Sequence, residues 1–235
     1  MGILDMPRQA VRVAGARRRT GQFVRRVPTE NGHAVLTIGD LAYAGYQVPA
    51  GLLNPDSVVL SAGAGLDVSF ESMLVDRYGC RVHVLDPVPE AAAHVAEALA
   101  HEPRITFEQA ALWSTDTELQ FHVPVIDGFV SHSATDMHGT SVAFVARARS
   151  VGSLRDEHGW AHVDLLKISA EGSEFAIIDR VLDDAEPISA ICVEFAQPVA
   201  ISRVEAVVRR LSGAGYVPVA RYARPFNWKM TFVRR

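Results

Sequence analysis

Cysteine is scarce. Only Cys80 and Cys192 occur in 235 residues. Each sits beside or inside an apolar run, where a thiol behaves as a small hydrophobe. A disulfide framework is excluded, and the expected compartment is the reducing cytoplasm. Long apolar runs are absent as well. None approaches the ~20 residues that a membrane span needs, so no membrane partner is expected. The formal net charge is −4, and this mild acidity argues against nucleic acid as a partner. The length suits one α/β domain with a sizeable core and is short for two.

Acids are nearly missing from the first stretch, where Arg8, Arg12, Arg17, Arg18, Arg19, Arg25 and Arg26 crowd together. It also lacks the apolar segment of a secretory signal. Residues 1–33 are therefore expected to be a basic, solvated and partly disordered arm. A lid over the active site or a contact in a homo-oligomer is the other reading. Residues 34–235 make up the single domain.

Against these absences stands one strong pattern. The run Val58-Val59-Leu60-Ser61-Ala62 ends in the turn Gly63-Ala64-Gly65, and the run Val82-His83-Val84-Leu85 ends in Asp86. A glycine turn after a buried strand lets backbone amides approach a ligand closely. A carboxylate roughly 20 residues further on, at the tip of the next parallel strand, can accept ribose hydroxyls. A dinucleotide turn needs a third glycine for close helix packing, and Val68 occupies that position. Asp67 adds a negative charge where a pyrophosphate would lie. The turn fits a nucleoside with a cationic or zwitterionic tail, such as S-adenosylmethionine, better than NAD. A purely structural turn is the other reading.

The rest alternates as α/β proteins do. Strands are expected at Ala34 to Ile38, Val58 to Ala62, Val82 to Leu85, Arg104 to Glu108, Leu119 to Val123, Val142 to Ala146, Val163 to Ile168 and Ile188 to Phe195. Helices are expected at Val68 to Tyr78, Pro89 to Ala100, Phe175 to Leu182 and Ser202 to Ser212. Tyr216 to Tyr222 and Trp228 to Val233 close the chain as a hairpin. The polar loop Ser131 to Thr140 is of a length and polarity that often carry function.

The string Leu165-Leu166-Lys167-Ile168-Ser169-Ala170-Glu171-Gly172-Ser173-Glu174 resembles the signature of FkbM-type S-adenosylmethionine-dependent methyltransferases. Ser61 to Glu71, Leu85-Asp86-Pro87, Ala110 to Trp113 and Val193-Glu194-Phe195 are similar to other family motifs. The resemblance runs from about Gly45 to the C-terminus. It implies the Rossmann-like class I methyltransferase fold: a mostly parallel seven-stranded sheet with a C-terminal antiparallel hairpin. One position departs, since the aspartate that follows Lys-Ile in the family is Ser169 here.

The implied activity is methyl transfer from S-adenosylmethionine to a small molecule, with O-methylation of a secondary metabolite or sugar first and N-methylation next. An NAD-dependent oxidoreductase is a rival, and the Ser169 departure also leaves a non-catalytic binding module open. The expected cofactor-binding residues are Ser61, Gly63, Gly65, Asp86 and Ala111. A helix cap ahead of Pro89 is the other reading of Asp86, and the motif context favours ribose. Lys167 is expected to orient the acceptor with Glu171, or to form a structural ion pair with Glu171 or Glu174. His132 and His138 are candidate general bases. Tyr46 and Glu194 are expected at the substrate, with Tyr43 or Tyr46 covering the methyl group. His158 and His162 have the spacing of a ligand pair, but Gly159 breaks the helix that would align them, so no metal is expected.

Overall fold

The computed structural model describes residues 8–30, 32–124, 131–136, 139–224 and 227–235. The seven-stranded sheet is built from β3 (Val58–Ala62), β4 (Arg81–Leu85), β5 (Ile105–Glu108), β9 (Val163–Ile168), β10 (Ile188–Glu194), β11 (Tyr216–Arg224) and β12 (Asn227–Arg234). Their order is β11-β12-β10-β9-β3-β4-β5. Only β12 runs against the others, pairing antiparallel with β10 and β11. This is the α/β architecture expected, reversed terminal strand included.

β3 is buried at every position, and β9 at all but one. A central parallel strand covered on both faces has to be a continuous apolar run. Helices α2 (Ser69–Tyr78), α3 (Pro89–Ala98), α5 (Glu174–Asp183) and α6 (Ile201–Gly213) flank the sheet. α6 buries Val204, Val207, Val208 and Leu211, the i, i+3, i+4, i+7 stripe of a helix facing a core. The winding reverses between β3 and β9. That switch point is where an open α/β sheet leaves a crevice at the carboxyl ends of its strands.

Three short elements escaped the sequence reading, the strand β6 (Ala111–Leu112) among them. β2 (Tyr46–Pro49) pairs with β1 (Val35–Ile38), and α4 (Val151–His158) is capped by Ser150 and ended by Gly159 in the left-handed region. A second sheet joins β6 (Ala111–Leu112), β8 (Val142–Arg149) and β7 (Thr117–His122). It stands beside the carboxyl edge of the main sheet.

The N-terminal stretch corrects an expectation. Arg8–Arg26 is a helix, α1, and its second half is docked rather than solvated. Thr20 and Val24 are fully buried and Val27 nearly so. They follow an i, i+4, i+7 stripe that the arginines obscure. Trp228 packs so closely on Gly21 that a Cβ there would meet the indole nitrogen at 2.4 Å. Arg221 and Arg25 tie the helix end by donating to the carbonyls of Val27 and Ala223.

Candidate functional site

A cavity of about 260 Å³ opens at the carboxyl edge, over the β3/β9 switch point. One side holds the glycine turn, Asp86 and Ala111. The other holds Ser169, Glu171 and Glu194. Ala42, Tyr43 and Ala44 roof it, and Ser131 and His132 approach from the polar loop.

The turn owes its form first to the protein. Gly63 has φ +87°, and a Cβ there would lie 1.9 Å from the carbonyl oxygen of Ser169. Glycine is required because the β9 loop passes directly against it. Asp86 then organises the turn from the tip of β4. One carboxylate oxygen accepts from the amides of Ala64 and Gly65, both at 2.9 Å, and the other from Val88 at 2.9 Å. Asp86 thus closes a turn ahead of α3 through the Val88 amide, lines the cavity and shapes the glycine turn at once. Burial raises its pKa, opposed by the three amides and by Lys167.

Beneath the turn lies an ion pair. Lys167 Nζ is 2.9 Å from Glu71 Oε1, and neither side chain is exposed. The same ammonium donates to the Gly63 carbonyl at 2.9 Å, and Ser61 Oγ donates to Glu71 Oε1. Two expectations are corrected here. Lys167 pairs with Glu71 of α2 rather than with Glu171 or Glu174. Ser61 and Lys167 both face away from the cavity, underneath the turn. Their part is to hold its shape.

Glu171 sits in the left-handed region at φ +43°, unusual for a residue with a side chain. Ser133 Oγ holds its carbonyl at 2.5 Å. Its carboxyl looks into the cavity beside Glu194 and Glu174. Desolvation, then those two neighbours, push it up to about 8, with a hydrogen bond from Ser131 opposing. Glu174 is fully buried. It accepts from the amides of Gly172 and Ala196, and burial pushes it up to about 7. Burial also raises Glu194, while Lys229 and Lys167 pull it down. At the family's aspartate position, Ser169 Oγ meets the Tyr46 hydroxyl at 2.8 Å and Glu194 Oε2 at 3.5 Å.

Tyr46 is corrected too. It is buried, with its hydroxyl on Ser169 instead of in the cavity, and Tyr43 takes the covering position. His132 lines the cavity, with its ring tilted against Phe144 at 5.1 Å. His138 lies outside the described residues. His158 ends α4 and Gly159 turns the chain away, so His158 and His162 share no helix. Among the described residues, no group of histidines, cysteines and acids could hold a metal.

Glu71 and Lys229 were not singled out from sequence. The signal for Glu71 was a carboxylate on the buried face of α2, between Phe70 and Leu74. For Lys229 it was a charge inside the apolar strand Trp228 to Val233.

A match to the methyltransferase FkbM domain spans residues 58–217. The chain belongs to the FkbM methyltransferase family. Its methyl donor is accordingly S-adenosylmethionine, and the oxidoreductase reading falls. No curated protein sequence is significantly similar to this FkbM protein. Among solved structures, it is similar to a precorrin-6y C5,15-methyltransferase from Geobacter metallireducens at 15% identity. That alignment covers 78% of this chain and 82% of the other, with a TM-score of 0.46. A fibrillarin pre-rRNA processing protein from Methanococcus jannaschii shows 11% identity over 87% and 83% of the two chains, with a TM-score of 0.47. TrmK of M. capricolum, solved with S-adenosyl-homocysteine, shows 10% identity over 78% and 65%, with a TM-score of 0.46.

The cavity suits a sulfonium nucleoside. Gly63 and Gly65 keep one wall free of side chains, and Asp86 presents a carboxylate at the strand tip. Glu171 and Glu194 add carboxyl groups on the far side. Among the described residues the lining carries carboxyl groups and no lysine or arginine, which suits a cation better than a pyrophosphate.

Proposed function

We propose that this FkbM methyltransferase methylates a hydroxyl of a small molecule, of the secondary-metabolite or sugar class, in the cavity above β3 and β9. One observation carries the reading. The glycine turn with Asp86 and the carboxyls of Glu171 and Glu194 face each other across a single cavity. S-adenosylmethionine supplies an already activated methyl group when bound. Gly63, Gly65, Asp86 and Ala111 would hold it. The protein's share of the chemistry is to place the acceptor in line with the methyl group and to take its proton.

Glu171 is the proposed base. A carboxyl held near 8 accepts a hydroxyl proton far better than an ordinary carboxylate, because base strength is matched to neutral pH. Glu194 orients the acceptor through a hydrogen bond, and His132 closes the site from the polar loop. Lys167 and Ser61 act from below by shaping the turn. The two buried cysteines suit a reducing compartment, the cytoplasm. No described helix is long and apolar enough to cross a membrane. The proposed homo-oligomer contact runs through α1, whose Thr20 and Val24 are taken up by the chain's own core.

N-methylation has one observation in its favour: the acid-rich lining would also attract an ammonium. Turnover with a labelled methyl donor against matched hydroxyl and amine acceptors separates the two. Labelled ether from hydroxyl acceptors, lost in Glu171→Gln, supports the proposal. Transfer to amines that Glu171→Gln leaves intact refutes it.

A further inference from the structure

The roof of the cavity is a short turn, and one buried cation holds it from behind. Lys229 lies on β12 opposite Glu194 of β10 and is only 2% exposed. Its ammonium donates to the carbonyls of Leu41 (3.4 Å), Tyr43 and Gly45 (3.0 Å). An ammonium has three donors. All three are spent on alternate carbonyls of one turn, and the Tyr46 ring packs 4.7 Å beneath. Ala42, Tyr43 and Ala44 on the turn's other face line the cavity.

The same ammonium is 3.8 Å from Glu194 Oε2. With its protons already engaged, it acts on that carboxylate through charge alone. The front of the turn is tied separately. The Asp40 carboxylate accepts from the amide of Ala42 at 2.8 Å, and its backbone carbonyl accepts from those of Tyr43 and Gly45. Ser69 and Asp67, at the start of α2, hold the amides of Asp40 and Ala44. A buried lysine without such partners would be costly, and here its partners belong to the roof and the acid together.

We propose that Lys229 is a positioning residue that sets the Leu41–Gly45 roof over the methyl donor and places a positive charge against Glu194. This inference rests on the methyl-transfer reading of the cavity. The charged and titratable groups around the ammonium are Glu194 and Cys192 on β10, Lys167 on β9, Asp40 on the turn and Tyr46 on β2. Glu194 is the carboxylate that also lines the cavity.

The test uses Lys229→Met, Lys229→Arg and Asp40→Ala in the full chain. Calorimetry with S-adenosylmethionine on the unaltered protein comes first. Absent binding there would overturn the methyl-transfer reading itself, and the inference with it. In Lys229→Met, amide hydrogen exchange over residues 40–46 should accelerate while β3 and β9 stay protected. The kcat should fall roughly 10- to 100-fold, the scale for a small misplacement near the reacting atoms. The pH–rate profile should shift, because Glu194 loses its facing cation. Lys229→Arg keeps the charge, so it should restore the pH profile without restoring roof protection. Asp40 is exposed, so Asp40→Ala removes its carboxylate bond to the Ala42 amide of the roof without disturbing the core. It should accelerate exchange over 40–46 and lower kcat with the pH profile unmoved, and this holds as evidence even if Lys229→Met fails to fold. A folded Lys229→Met with unaltered exchange and pH profile would overturn the inference. So would an Asp40→Ala variant whose roof exchanges faster while turnover stays unchanged.

Discussion

Replacing Lys167 by Met tests whether that lysine serves the reaction or the turn. Met keeps the stem and removes the ammonium. Glu71 Oε1 then loses its ion-pair partner, and the Gly63 carbonyl loses its donor. Glu71 Oε2 already has no hydrogen-bond partner among the described residues, so the stranded carboxylate would keep only Ser61. Breaking a fully buried pair from one side costs about 3–5 kcal/mol, a large share of the ~5–15 kcal/mol that holds a typical domain together. Glu71→Leu should cost a similar amount by leaving the ammonium unpaired. The double variant removes both charges and should cost only ~1–2 kcal/mol, far below the sum of the singles. Urea unfolding at pH 8 would show this as midpoint losses of about 2 M for each single variant, at ~2 kcal/mol per molar. Additive losses, or a Lys167→Met variant of normal stability that has lost only turnover, would refute the pairing and return Lys167 to the acceptor.

Asp86→Ala should weaken S-adenosylmethionine binding by ~1.5–3 kcal/mol, the range for hydrogen bonds to a charged group, read by calorimetry. Gly63→Ala should unfold the protein or leave it several kcal/mol less stable in thermal melts, since its methyl group would collide with the Ser169 carbonyl at a φ of +87°. The Glu174 contribution to stability should fall as pH rises from about 4.5 to about 7, because the folded state holds a proton there that the unfolded chain releases. Glu171, pushed up to about 8, adds a like decline, so Glu174→Gln should lessen the slope in urea titrations without abolishing it. His132→Ala should lose ~10²–10⁴ in turnover at unchanged cofactor affinity if His132 transfers a proton; a near-normal rate leaves it as a cover alone.

The central strands were legible because burial on both faces demands an uninterrupted apolar run, as at Val58–Ala62 and Val163–Ile168. The glycine turn and Asp86 were legible because their spacing follows from one βαβ unit. The partner of Lys167 was not. Glu71 lies 96 residues away, and the two meet only because β3 and β9 pair with Ser61 opposite Lys167. Lys229 was hidden for the same reason, since its partners are backbone carbonyls of a turn that carries no pattern of its own. α1 misled through composition. Its apolar stripe is narrow, and a run of arginines reads as solvated until Trp228 is seen lying on Gly21.

The contact between Gly63 and Ser169 has a consequence for how this enzyme could change its substrate. The bare Cα of Gly63 rests on the Ser169 carbonyl, and the Ser169 amide donates to Ala62 at 2.9 Å. The donor loop and the Glu171 loop are therefore bolted into one piece. A mutation that re-aims Glu171 drags the methyl donor with it, so new acceptors are hard to acquire there. The freedom to change lies in the Leu41–Gly45 roof, which meets the cavity without touching that joint. Exchanging that segment between relatives should shift acceptor preference while the Gly63–Ser169 joint stays intact.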